Sequence, residues 1–145
     1  MSRIRFKIIT PERIVFEDEV DQATLPTAEG EITVLPNHIP LISVLKSGEL
    51  IVKKGEEEID IAVSGGIIEV QNNEITILAD TAERAEEIDV KRAEEAKKRA
   101  EELKSKRILA DETQYAIVAA NLEKNLARIK VAQKYMRRKG MRISG

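Results

Sequence analysis

The sequence has no cysteine and no tryptophan, a single histidine and four aromatic residues in all. Without cysteine there are no disulfides, no thiol nucleophile, no iron–sulfur cluster and no cysteine-based zinc site. The lone histidine, His38, excludes a histidine-cluster metal site and leaves hydrolytic chemistry without its usual general base. Phe6, Phe16, Tyr115 and Tyr135 are too few for recognition built on base stacking, so the core must be aliphatic. Long apolar runs are missing as well. The longest uncharged stretch, residues 32–45, has 14 residues and two prolines, too short and too broken to span a bilayer. The start alternates arginine with apolar residues and holds no hydrophobic signal core. The expectation is a soluble protein without a targeting segment, kept in a reducing compartment.

What is present divides in two. All four prolines lie in the first 40 residues, and no glycine falls between residues 67 and 139. Turn punctuation therefore stops abruptly and a stretch rich in Ala, Glu, Lys and Arg follows. Residues 1–84 hold 8 basic and 16 acidic side chains, net −8, whereas residues 85–145 hold 16 basic and 10 acidic, net +6. The overall charge of −2 over 145 residues hides this asymmetry, which points to two modules, 1–84 and 85–145, with different partners.

The first module reads as strands. Arg3-Ile4-Arg5-Phe6-Lys7-Ile8 alternates strictly, placing Ile4, Phe6 and Ile8 on one face, and Glu58-Ile59-Asp60-Ile61-Ala62-Val63 does the same. Further apolar runs occupy residues 20–25, 32–35, 41–45, 50–52, 67–70 and 75–78. Lys54-Gly55, Gly65-Gly66 and Asn72-Asn73 are expected to separate strands as turns. Many short strands at close spacing predict an antiparallel β-sandwich or barrel.

The second module reads as two helices. Ala93, Ala96, Ala100 and Leu103 recur at helical spacing, as do Tyr115, Val118, Leu122, Leu126, Ile129, Ala132 and Met136. Asp89 and Asp111 are the expected N-caps, with Gln114 completing a capping box after Asp111. The connection over residues 106–112 is short, so the helices should run antiparallel. A small-residue stripe lets a neighbour approach closely but buries little area. The hairpin is therefore expected to depend on docking against the sandwich, a ligand or a partner.

Three stretches carry a resemblance. They are Gly30-Glu31-Ile32-Thr33-Val34-Leu35-Pro36-Asn37-His38-Ile39-Pro40-Leu41, then Ala62-Val63-Ser64-Gly65-Gly66-Ile67-Ile68-Glu69-Val70, then Ile88-Asp89-Val90-Lys91-Arg92-Ala93. Their order and spacing resemble the ε subunits of bacterial F-type ATP synthases over nearly the whole chain. The resemblance implies a β-sandwich followed by an antiparallel two-helix hairpin, the arrangement that periodicity gives independently. It also implies a rotor subunit without catalytic residues of its own, peripheral to the cytoplasmic face of the cell membrane. In that family the sandwich is clamped between the γ subunit and the polar loops of the c-ring, and Glu31 and His38 become contact candidates. The hairpin either folds onto the sandwich or extends along γ toward the α/β catalytic head, where it restrains ATP hydrolysis. Two positions depart from the family pattern, which has glycine where Thr33 and Asn37 stand. Asn37 tolerates a left-handed backbone, whereas β-branched Thr33 does not. The basic tail beyond Tyr135 is also longer than usual.

The segment from Ile88 to Ala93 supports two accounts. In one, Asp89 is an ordinary helix cap and Arg92 an exposed charge. In the other it resembles the motif with which some ε subunits bind ATP. Asp89 would then accept from the adenine amino group, with Glu83 and the backbone at Ile88 and Ala93 lining the base pocket. Arg92 and Arg99 would meet the phosphates, joined from the second helix by Lys124 and Arg128, which stand four apart on one face. Arginine suits phosphate because its planar fork donates bidentate, charge-assisted bonds. With no phosphate-cradling glycine loop and no carboxylate pair for Mg²⁺, such ATP would be a sensed regulatory ligand and no cofactor would be required.

From Lys124 to Arg142 there are eight Lys/Arg and no Asp/Glu. A charge run by itself is a solvated helix face. A nucleic-acid role ranks low because the run lacks aromatic interleaving and a reading motif. The resemblance offers acidic segments of the catalytic head as the partner, and the acidic sandwich is a second. His38 reads most simply as a structural turn residue. The competing functional class is a free-standing adaptor, a sandwich with a coiled-coil hairpin.

Overall fold

The computed structural model describes residues 2–105 and 112–140. Its order is β1 (Ile4–Ile9), β2 (Ile14–Val20), β3 (Gln22–Thr27), β4 (Gly30–Val34), β5 (Leu41–Leu45), β6 (Gly48–Lys54), β7 (Glu57–Gln71), β8 (Glu74–Arg84), a 3-10 turn (Ala85–Glu87), α1 (Val90–Ser105) and α2 (Glu112–Arg138). Strands form the sandwich and the helices follow it, as expected. The strand order is β2-β1-β8-β7-β5-β3-β4, with β6 pairing β3 and β7. Every pairing is antiparallel except that of β1 with β8. The alternation read from the sequence is seen in the core: Ile4, Phe6 and Ile8 are fully buried, together with Leu25, Val34, Leu50, Ile61, Ile68, Ile75 and Ile77.

Gly65-Gly66 differs from its expected role as a turn between strands. Both glycines lie inside the 15-residue β7. The first part of β7 pairs with β6 up to Gly48↔Val63, and the second with β5 from Leu45↔Gly66. The pair therefore bends one strand so that it serves both neighbours. Gly65 has φ +63° and Gly66 φ +138°. A Cβ on Gly66 would fall 2.1 Å from the Leu78 carbonyl oxygen, so close strand approach and positive φ together demand glycine. Asn37, at φ +65°, holds the left-handed loop as anticipated. Thr33 creates no strain: it sits in extended β4 opposite Thr24, with the two hydroxyls 3.0 Å apart.

The hairpin is folded against the sandwich. α2 packs on β6, β7 and the 3-10 turn, and α1 packs on α2. Ile88, just before α1, lies with Val131 and Tyr135 of late α2, so the helices run antiparallel. The small-residue stripe of α1 buries Ala93 and Ala100. The apolar stripe read along α2 coincides only in part with the face that is buried. Ala132 of that stripe is buried, but Tyr115 and Leu126 are exposed, and Asn125, Ala127 and Val131 outside it are buried. The cause is that α2 serves two neighbours, α1 and a polar sheet face, so no single apolar stripe describes it. The expected cap Asp111 lies outside the described residues. Among the described residues no helix is long and apolar enough to cross a membrane.

Candidate functional site

Cross-strand register builds the surface on which α2 lies. Glu49 of β6 stands opposite Ala62 of β7, which stands opposite Glu83 of β8, so the three share one outward face. Asp60 and Ser64, two residues either side of Ala62, share it too. On α2, Arg128, Val131, Lys134, Tyr135 and Arg138 recur at three- and four-residue spacing and form the facing stripe.

The two surfaces meet mainly through charge. Arg128 Nε lies 2.7 Å from Glu83 Oε1 and Nη2 3.3 Å from Oε2. Lys134 Nζ donates to Glu49 at 2.7 Å and lies 3.7 Å from Asp60 and 3.9 Å from Glu58. Arg138 pairs with Glu58 at 2.6 Å, bonds Asp60 closely and donates to the Glu58 carbonyl at 2.9 Å. Lys130 stands 3.9 Å from Glu49. The apolar part is a thin seam of Ala62, Ala85 and Val131, with Ile88 and Tyr135 packed against it.

The two sides of this cluster titrate differently. Burial pulls the Lys134 ammonium down, but the Glu49 hydrogen bond and the charges of Asp60, Glu49 and Glu58 outweigh it and the net shift is upward. The Asp60 side chain is fully buried, and desolvation pushes its carboxyl above the usual range despite Lys134 and Arg138. Asp60 Oδ1 has no hydrogen-bond partner among the described residues. The difference follows burial: Asp60 has lost its water, whereas the lysine stays partly solvated.

The residues expected to hold a nucleotide lie on β8, on α1 and the residue pair before it, and on α2. Asp89 caps α1, its Oδ1 accepting from the Arg92 backbone N–H at 3.1 Å and its carbonyl from Ala93 N–H at 3.0 Å. Ala93 is fully buried and Ile88 belongs to the seam. Arg92 and Arg99 are exposed on α1. Glu83 and Arg128 are brought together, but as an ion pair with each other. Asn125, buried and unanticipated, donates to the Asn121 carbonyl at 2.8 Å and accepts from Arg128 Nη1 at 2.9 Å, which orients the guanidinium toward Glu83. Lys124 lines a cleft of about 300 Å³ with Thr10, Arg13, Asp80, Thr81 and Glu83. Arg92, Arg99 and Arg128 do not line that cleft.

Glu31 and His38 lie toward opposite ends of β4. Glu31 is its exposed second residue, and His38 follows the strand in a turn where its Nδ1 lies 2.7 Å from the Ile39 carbonyl oxygen. That contact is the one a structural turn histidine makes.

One further surface was not singled out from the sequence. Val44 of β5, Ile67 of β7 and Leu78 of β8 form a cross-sheet row, extended by Ile42 two residues from Val44. All four point to solvent, at 59%, 50%, 52% and 77% exposure respectively. The run 41–45 announced a strand, but alternation cannot say which of its faces lacks a cover.

Known proteins match the chain in two stretches. Residues 3–85 match the ATP synthase, Delta/Epsilon chain, beta-sandwich domain, and residues 86–133 the long alpha-helix domain of that chain. The "ATP synthase epsilon chain" of Dehalococcoides mccartyi strain BAV1 is 47% identical over 138 residues, 92% of this chain and 95% of that one. That of Desulforamulus reducens is 46% identical over 129 residues, 89% and 96% of the two chains. Among solved structures, a chain of the Euglena gracilis mitochondrial ATP synthase superposes with TM-score 0.75 at 24% identity, covering 92% of this chain and 82% of that one. This chain therefore belongs to the ATP synthase delta/epsilon chain family and resembles its bacterial ε chains.

Proposed function

We propose that the chain is a non-catalytic rotor subunit of a bacterial ATP synthase, at the cytoplasmic face of the membrane. Its sandwich links the γ subunit to the c-ring, and its hairpin regulates hydrolysis in the α/β head. The observation that carries the reading is the exposed row Ile42, Val44, Ile67 and Leu78. Contiguous apolar surface of this kind on a small domain marks a protein partner. A relative by fold supports the placement: a chain of the Tetrahymena thermophila central stalk/c-ring structure superposes with TM-score 0.62 at 16% identity, covering 90% of this chain and 97% of that one. The test is association with purified γ. The wild-type chain should co-elute with γ, and Val44→Asp with Ile67→Asp should abolish co-elution while leaving the strand spectrum intact. A wild-type chain that ignores γ would favour the adaptor reading.

The regulatory part of the proposal has two states. Docked, the basic face of α2 is neutralised by the sandwich; extended, it meets acidic segments of the head and restrains hydrolysis. ATP bridging the two helices would favour the docked state only by its differential affinity for it. Glu83, Ile88, Asp89, Arg92, Ala93, Arg99, Lys124 and Arg128 are the proposed nucleotide residues. Binding would also require Arg128 to share or leave Glu83. Calorimetric titration with ATP checks this: saturable one-to-one heat, lost in Arg92→Ala, is expected. Absence of heat at millimolar ATP would leave Asp89 as a cap and regulation to the basic helix alone. A nucleic-acid role has little support, because Arg128, Lys134 and Arg138 are engaged by carboxylates of the sandwich.

A further inference from the structure

We infer that Glu49, Glu58 and Asp60 form an acidic socket for Lys134 and Arg138, and that this socket, rather than the apolar seam, decides whether the hairpin stays docked. The inference deepens the regulatory reading above, since a hairpin that regulates must be able to leave. The latch itself rests only on the docked geometry.

Three observations converge. First, the socket is shared. One ammonium serves three carboxylates, and one guanidinium serves two carboxylates and a backbone carbonyl. Neither cation can be lost without leaving like charges crowded on adjacent strands. Second, the seam is weak. Two of its three buried members are alanines, each contributing a single methyl group, so apolar burial gives little to hold a helix of 27 residues. Third, the socket is buried only because α2 covers it. Asp60 and Ala62 lie on the face of β7 opposite the core residues Ile61 and Val63. Inside a core, removing one partner of a buried ion pair strands a charge that the fold must tolerate. Here a cheaper relaxation exists: α2 departs and water returns to Asp60. Loss of the clasp should therefore undock the helix without unfolding the sandwich.

The socket lies at one end of the contact. Arg138 and Lys134 are ten and six residues beyond Arg128, about 15 and 9 Å along the helix. It is thus set apart from the Glu83–Arg128 pair. Docking held by such pairs weakens as salt screens them, with no nucleotide required.

The chain has no native cysteine, so labels at Glu56→Cys, in the β6–β7 turn, and Glu123→Cys, on exposed α2, report the distance cleanly. Measured by electron–electron resonance on the full chain without nucleotide, one short, narrow distribution is expected at low salt. It should lengthen and broaden at about 1 M NaCl and in Arg138→Glu. The swap Arg138→Glu with Glu58→Arg should restore the short distance in part, and Arg138→Lys should largely keep it. Val131→Ala should stay docked at low salt. Circular dichroism that retains the strand signal separates undocking from misfolding. The socket is overturned if Arg138→Glu keeps the short distance at every salt concentration, or if Val131→Ala undocks as fully as Arg138→Glu. Either result leaves the proposed function standing. Conversely, a working latch beside unchanged hydrolysis in an enzyme assembled with Glu49→Gln, Glu58→Gln and Asp60→Asn, all on the sandwich side, would overturn hydrolysis control and not the socket.

Discussion

The two faces of β7 place unlike chemistry on adjacent residues. On the inner face Ile61 and Val63 join an aliphatic core with Phe6, Leu50, Ile68 and Ile77. On the outer face Asp60 and Ala62 are also buried, but beneath a helix held by cations. Equal burial hides unequal consequences. Apolar burial is non-directional and is not weakened by charge screening, and it is lost only when the sandwich opens. Charge burial is directional, and its partner sits on an element that can move away while the sandwich stays whole. One strand thus carries a permanent contact and a releasable one.

The comparison breaks if the two faces respond alike to truncation. The largest effect is expected at Phe6→Ala, which opens a cavity at the centre of the core and should cost about 3–5 kcal/mol, read from urea unfolding. Next is Asp89→Ala. It removes a cap worth about 1 kcal/mol from a helix that packs chiefly on α2, so helical content should fall while the strand signal keeps its unfolding midpoint. The smallest effect is expected at Glu87→Gln. Arg13 holds the Glu87 carboxyl below its ordinary value, first by hydrogen bonding and then by charge. A depressed carboxylate contributes stability that is present above its unfolded value and lost as pH falls through the folded one. The wild type should therefore lose more stability than Glu87→Gln on acidification below about pH 4.5, in paired thermal melts. Because the pair is exposed, the difference should be small.

Much of this was legible in the sequence. Strict alternation identified β1 and the first part of β7, and the end of proline and glycine punctuation marked where strands give way to helices. The charge asymmetry of the two halves anticipated that a basic helix would find an acidic sheet. What failed to be legible involved long-range placement. Gly65-Gly66 looks the same whether it ends a strand or bends one, and only the partners β5 and β6 decide. The stripe through Tyr115 and Leu126 obeyed helical period, yet a helix with two neighbours buries whichever residues fit each. Asp60 and Glu49 read as solvent-facing by alternation, and they would be, without α2. The small residues Ala62 and Ser64 beside them were the available signal, since they allow close approach. Spacing likewise aligned Lys124 with Arg128, but Glu83 and Asn125 determine where Arg128 points in the docked hairpin.

The most direct test of this account is native-state hydrogen exchange of the full chain at low and high salt. The account predicts that α2 amides around Val131 exchange through an opening of lower free energy than amides of β7 and β8, and that salt lowers the α2 value further while leaving the sheet unchanged. If α2 and β7 exchange together in one global unfolding that salt does not divide, the hairpin is a fixed part of the fold and the distinction between its two faces is wrong.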